Sequence, residues 1–94
     1  MTTLDDAQID ERLGSLAGWQ RREGSEIERE LRFSDFAAAI NFVNRVAELA
    51  EAANHHPDIF LHGWNKVRLT LSTHSQGGVT DADFKLASQI DQLP

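Results

Sequence analysis

The sequence predicts an α+β domain in which a four-stranded antiparallel sheet carries helices on one face, in the order α-β-β-α-β-β-α. Three observations lead there. Short segments of strand character come in two pairs, each pair gathered around a turn. One long segment without Gly or Pro repeats its apolar residues at helical spacing. Hairpins and helices are grouped rather than strictly alternating, which favours an antiparallel sheet covered on one side.

The first helix is expected over residues 5–16, where Ile9, Leu13 and Leu16 recur at helical spacing and acidic residues come early, as the helix dipole prefers. Gly18 ends this segment. Residues 19–22 and 26–33 then read as two strands about a Glu23-Gly24-Ser25 turn, with Ile27, Leu31 and Phe33 on one face and Glu28, Glu30 and Arg32 on the other. Ser34 is the expected N-cap of the longest helix, residues 35–53. Here Phe36, Ile40, Val43, Ala47 and Ala50 form one apolar row, and Ala39, Phe42, Val46, Leu49 and Ala53 form a second beside it. An apolar arc this wide suits a helix that packs on a second helix or subunit, or one sunk deep in its own core.

Pro57 closes the helical region. An extended segment over 58–62 leads through Gly63 to a strand over 65–73, with Val67, Leu69, Leu71 and Thr73 on one face and Lys66, Arg68, Thr70, Ser72 and His74 on the other. Gln76-Gly77-Gly78 makes a turn. Thr80 is placed to cap a last helix running to about residue 91, with Asp81 and Asp83 in its first turn.

No repeat, low-complexity tract or linker divides residues 1–94, so one domain is expected. A chain of 94 residues buries only roughly 60–65% of its unfolded surface, and self-association would extend that thin core. A formal charge of −6, with no basic run, argues against direct nucleic-acid binding. No apolar stretch approaches the roughly 20 residues that cross a bilayer, and the N-terminal residues are acidic where a signal peptide is basic; a soluble, cytoplasmic protein is expected. The absence of cysteine leaves histidine and carboxylate chemistry as the main options.

The distinctive string is Glu51, His55-His56-Pro57, Trp64, Thr73-His74, Gly77-Gly78 and Asp83. Each part alone has an ordinary explanation. A lone histidine is most often a polar or half-buried residue, and histidines at a helix end can serve its last carbonyls; for His62 such an ordinary role is the preferred one. Together they form a pattern: an acid, three residues, His-His-Pro, six residues, an aromatic, nine residues, a histidine, eight residues and an aspartate. In this the chain resembles the pterin-4a-carbinolamine dehydratases. The likeness extends to Gly18-Trp19, Arg32-Phe33 with Phe36, Asn65-Lys66-Val67, residues 71–74 and Leu86-Ala87. The stretch 60–63 is one residue longer than in the shorter-looped members, and Trp64 stands where Tyr or Phe also occurs.

The resemblance implies a metal-free enzyme without a cofactor, the pterin itself being the substrate. Its reaction expels the C4a hydroxyl of a 4a-hydroxytetrahydropterin as water and removes a ring-nitrogen proton, giving the quinonoid dihydropterin. Imidazole suits both proton transfers near neutral pH. The resemblance makes His55 and His74 the acid/base pair, in either order, and gives His56 to pterin binding. Consecutive residues point in different directions, which agrees with separate roles for His55 and His56. Glu51, one helical turn before His55, either orients that ring or is a solvated carboxylate. Asp83 either orients a histidine or pterin nitrogen or, the favoured reading, acts as the capping acid after Thr80. Trp64 either stacks on the pterin or belongs to the core, and Pro57 shapes the site. Two rivals come from other classes. A metal site is disfavoured by spacing, because adjacent histidines rarely chelate one ion and no His-Glu-x-x-His occurs. A non-catalytic partner module is compatible with the wide apolar arc, since animal members of the family also serve as dimerisation cofactors of a homeodomain transcription factor. The family further implies a homodimer or homotetramer and the service of a pterin-dependent hydroxylase.

Overall fold

The computed structural model describes residues 3–22 and 25–93. The elements follow the expected order: α1 (Asp6–Leu13), β1 (Gln20–Arg22), β2 (Glu26–Arg32), α2 (Phe36–Ala53), β3 (Asp58–His62), β4 (Lys66–Leu71), a 3₁₀ turn at His74–Gln76, and α3 (Asp81–Asp91). The strands form one antiparallel sheet in the order β1-β2-β4-β3. Of the expected Glu23-Gly24-Ser25 turn, residues 23 and 24 lie outside the described residues.

Period-two alternation sets the register. Ile27 pairs with Leu71 and Leu31 with Val67, so the apolar residues of β2 and β4 share the covered face. On the opposite face Glu30 and Phe60 flank Arg68. Ile27, Val67, Leu69 and Leu71 meet Ala39, Phe42 and Val46 of α2 and Phe84, Ala87 and Ile90 of α3 in one buried cluster. The second of the two apolar rows on α2 therefore enters the core. The first stays partly open, with Phe36 53% and Ile40 36% exposed.

Several boundaries differ from expectation for local reasons. Helix α1 stops at Leu13, three residues early, where the Gly14 N–H closes on Asp10 and Glu11. The N-cap of α2 is Asp35 instead of Ser34: its carboxylate accepts from the Ala38 N–H at 2.7 Å, and its charge also favours the helix N-terminus. The regular part of β4 ends at Leu71 instead of Thr73. Thr73 instead pairs with Gly78 across a closed loop, whose last turn uses Gly77 at φ 72°.

One partly buried contact joins charges far apart in sequence. Arg29 lies on the covered face between Ile27 and Leu31, and its guanidinium donates to Asp91 of α3 at 2.6 Å. The indole N–H of buried Trp19 donates to the same carboxylate at 2.9 Å. Asp91→Ala strands both donors in partly buried positions, and an expected loss of about 1–3 kcal/mol is measurable as a lowered urea midpoint with unchanged m-value.

Candidate active site

The site begins where α2 ends. Asn54 adopts the left-handed conformation, φ 50°, and the His55 N–H closes five residues back on the Ala50 carbonyl at 3.0 Å. This reversal swings His55 off the helix surface and towards α3. Its Nε2 lies 2.5 Å from Asp83 Oδ1, with the His55 side chain 15% exposed and that of Asp83 fully buried.

Asp83 does two jobs at once. Its Oδ2 accepts from the Thr80 N–H at 2.8 Å, completing the capping box of α3. The same oxygen accepts from the Thr73 hydroxyl at 2.9 Å, and the Thr73 and Thr80 hydroxyls are 2.8 Å apart. The first turn of α3 favours an anion at this position. Among the described residues no buried side-chain polar atom lacks a partner, so this carboxylate is buried with every demand met.

The other predicted residues are placed as follows. Glu51 does not reach His55. The turn at Asn54 carries His55 away, and Glu51 Oε2 instead meets His56 Nε2 at 2.5 Å, with both side chains mostly in solvent. An i,i+4 pair needs a continuous helix, and α2 ends at Ala53, between Glu51 and His55. His56 thus stands at the exposed rim, and half-buried Pro57 leads directly into β3. His74 opens the 3₁₀ turn after β4 and is exposed. Its neighbours Thr73 and Ser75 line a hollow of about 280 Å³ together with Asn54, His55, Gln76 and Ala82. A larger hollow of about 630 Å³ between α2 and α3 shares His55 and Ala82 and runs on to Lys85 and Gln89.

Trp64 is not brought to the histidines within this chain, and it is not core. It sits in the β3–β4 turn with φ 60° and is 61% exposed. His55 precedes the start of β3 and Trp64 follows its end, so the whole length of a five-residue strand separates them, roughly 17 Å. His62 pairs with Glu30 and stacks on Phe60, with centroids 4.8 Å apart. The His62 hydrogen bond, helped by Arg68, holds the Glu30 carboxyl below its ordinary range, so this histidine is occupied by the sheet's open face. Thr73 and Thr80 are the site residues that sequence reasoning missed as a unit. The available signal was two threonines and an aspartate flanking one tight glycine turn.

No group of three His, Cys, Asp or Glu side chains among the described residues is arranged to hold a metal ion, and no helix among them is long and apolar enough to cross a membrane.

Residues 2–93 match the family described as pterin 4 alpha carbinolamine dehydratase. This chain belongs to that family. A relative from Roseiflexus sp. (strain RS-1), provisionally named pterin-4-alpha-carbinolamine dehydratase, is 54% identical over 92 residues, covering 98% of this chain and 97% of its own. Another from Acidobacterium capsulatum, with the same provisional name, is 53% identical, covering 99% of both chains. Among solved structures, a transcriptional coactivator/pterin dehydratase from Brucella melitensis superposes with a TM-score of 0.90 at 38% identity, covering 96% of each chain. A pterin dehydratase-like RuBisCO assembly factor of the alpha-carboxysome shares the fold, with a TM-score of 0.65 at 22% identity over 79% of this chain and 86% of its own. The family fold thus carries different names in different chains, and the chemistry has to be argued from the site.

Proposed function

We propose that this chain dehydrates a 4a-hydroxytetrahydropterin to the quinonoid dihydropterin and water, with His55 and His74 moving the protons and His56 holding the pterin. The observation that supports this most is the buried Asp83 carboxylate beneath His55, at the edge of a hollow that the loop of His74 helps to form. A neutral imidazole and an imidazolium both donate to such a carboxylate. His55 can therefore take a proton and return it without moving, and the charge it gains is met at 2.5 Å.

The reaction needs one proton delivered to the departing C4a hydroxyl and one removed from a ring nitrogen. Two imidazoles on different elements, one anchored and one exposed on a tight loop, suit these two tasks. Asn54 and Gln76 add amide groups to the same hollow, matching the hydrogen-bonding edge of a pterin. The exposed His56 at the rim belongs to binding in this reading: His56→Ala is expected to raise KM severalfold while kcat stays within about twofold. Steady-state dehydration of a 4a-hydroxytetrahydropterin, followed by absorbance, checks both numbers. No cofactor enters the scheme. The enzyme would work in the cytoplasm, returning pterin to a hydroxylase that consumes it.

The open row on α2 favours association. Phe36 and Ile40 are large, apolar and exposed on one side of the helix, which agrees with a homodimer or homotetramer. Replacing both with aspartate is expected to lower the sedimenting mass to that of a smaller assembly or monomer. The same row supports the alternative reading, a non-catalytic partner module. An inactive purified wild type that remains folded would select that alternative.

A further inference from the structure

The hydrogen bonds around Asp83 have directions that follow from counting protons. A threonine hydroxyl carries one proton. That of Thr73 is given to Asp83 Oδ2. In the 2.8 Å contact between the two hydroxyls, Thr80 must therefore donate and Thr73 accept. The Thr80 oxygen in turn accepts from the Ala82 N–H at 3.2 Å. The chain of donors runs one way, from α3 through Thr80 and Thr73 onto the carboxylate. With the Thr80 N–H as a second donor to Oδ2, that oxygen is occupied and only Oδ1 faces His55.

All three residues are buried: Thr73 is 8% exposed, Thr80 and Asp83 0%. With two donors already on Oδ2 at a helix N-terminus, the carboxylate meets the ring as an acceptor, and the ring nitrogen is the donor in that contact. The shared proton therefore sits on the ring. His55 carries its hydrogen on Nε2 and leaves Nδ1 for whatever fills the hollow.

We propose that Thr73 is a positioning residue of this site: its hydroxyl, itself held by Thr80, locks the Asp83 carboxylate in the orientation that fixes the His55 tautomer. What Nδ1 then does rests on the dehydratase reading; the tautomer itself does not. Removing the hydroxyl takes one of two donors from Oδ2 and leaves the Thr80 proton unspent. The carboxylate is then free to turn, and the ring loses its single preferred tautomer.

The test uses Thr73→Val, which keeps shape without the hydroxyl, and Thr73→Ser, which keeps the hydroxyl. Ring nitrogen shifts of ¹⁵N-histidine-labelled protein are recorded without substrate and with the imidazole neutral, beside steady-state kinetics. Wild type is expected to show one His55 tautomer, protonated at Nε2. Thr73→Val is expected to show averaged ring shifts and kcat about 10- to 100-fold lower with KM within twofold, and Thr73→Ser to restore both. Should Thr73→Val not fold, Thr73→Ala is judged by the same criteria. A folded Thr73→Val or Thr73→Ala that keeps the wild-type shifts and kcat overturns the proposal, as does a folded Thr73→Ser that rescues neither. An inactive wild type with the Nε2–H signature intact would sink the dehydratase reading and leave the positioning role standing.

Discussion

Asp83→Ala is expected to lose about 3–5 kcal/mol of folding stability, because it leaves the Thr73 hydroxyl, the Thr80 N–H and the His55 ring without their shared acceptor inside the protein. That is a large part of the roughly 5–15 kcal/mol that holds a small domain together. Asp83→Asn separates this structural cost from the chemical one. The amide can keep its oxygen on Thr80 and Thr73, preserving the cap of α3, but then turns an N–H₂ towards His55 Nε2. The ring must accept there and carry its hydrogen on Nδ1, the reverse of the native arrangement. Asp83→Asn is therefore expected to fold with a loss of about 1–3 kcal/mol while kcat falls about 10²–10⁴-fold. Chemical denaturation gives the first quantity and initial rates give the second. A fold loss without a rate loss in the asparagine variant would reduce Asp83 to a helix cap.

The second large effect concerns the two proton-moving histidines, whose different surroundings predict different side effects. His55→Ala and His74→Ala are each expected to lower kcat by about 10²–10⁴-fold, the usual worth of a positioned acid or base. Only His55→Ala should also cost stability. It uncovers Asp83 Oδ1 in the interior, a loss of about 1–3 kcal/mol, whereas His74 is exposed and its removal should stay within about 0.5 kcal/mol. Thermal melts beside rate measurements distinguish the pair. Equal stability losses would contradict the placement of His74 on an open turn.

The fold was largely legible because its signals are local. Alternation in residues 26–32 and 66–71 carries the register of the sheet, and the spacing of Ala39, Phe42 and Val46 carries the buried face of α2. Thr80 with Asp83 reads as a cap from four residues alone, and the structure has that capping box. What was not legible depends on tertiary geometry. Nothing near Arg29 announces that Asp91, 62 residues away, will sit beneath it. Glu51 is spaced to meet His55 only if the helix continues, and the left-handed Asn54 hands it His56 instead. Trp64 carries no local mark of exposure, since an aromatic beside a strand usually packs. The Asp83 result has a related cause: one carboxylate with two oxygens serves two masters, and sequence reasoning treated cap and histidine support as alternatives.

The central claim is that His55, seated on Asp83, moves a proton in pterin dehydration. It is tested most directly by measuring the conversion of a 4a-hydroxytetrahydropterin to quinonoid dihydropterin by purified wild type and by His55→Ala, each checked for fold by circular dichroism. The account predicts turnover well above the uncatalysed rate for wild type and a loss of at least about 100-fold in the variant; a folded wild type with no turnover, or a His55→Ala rate equal to wild type, would contradict it.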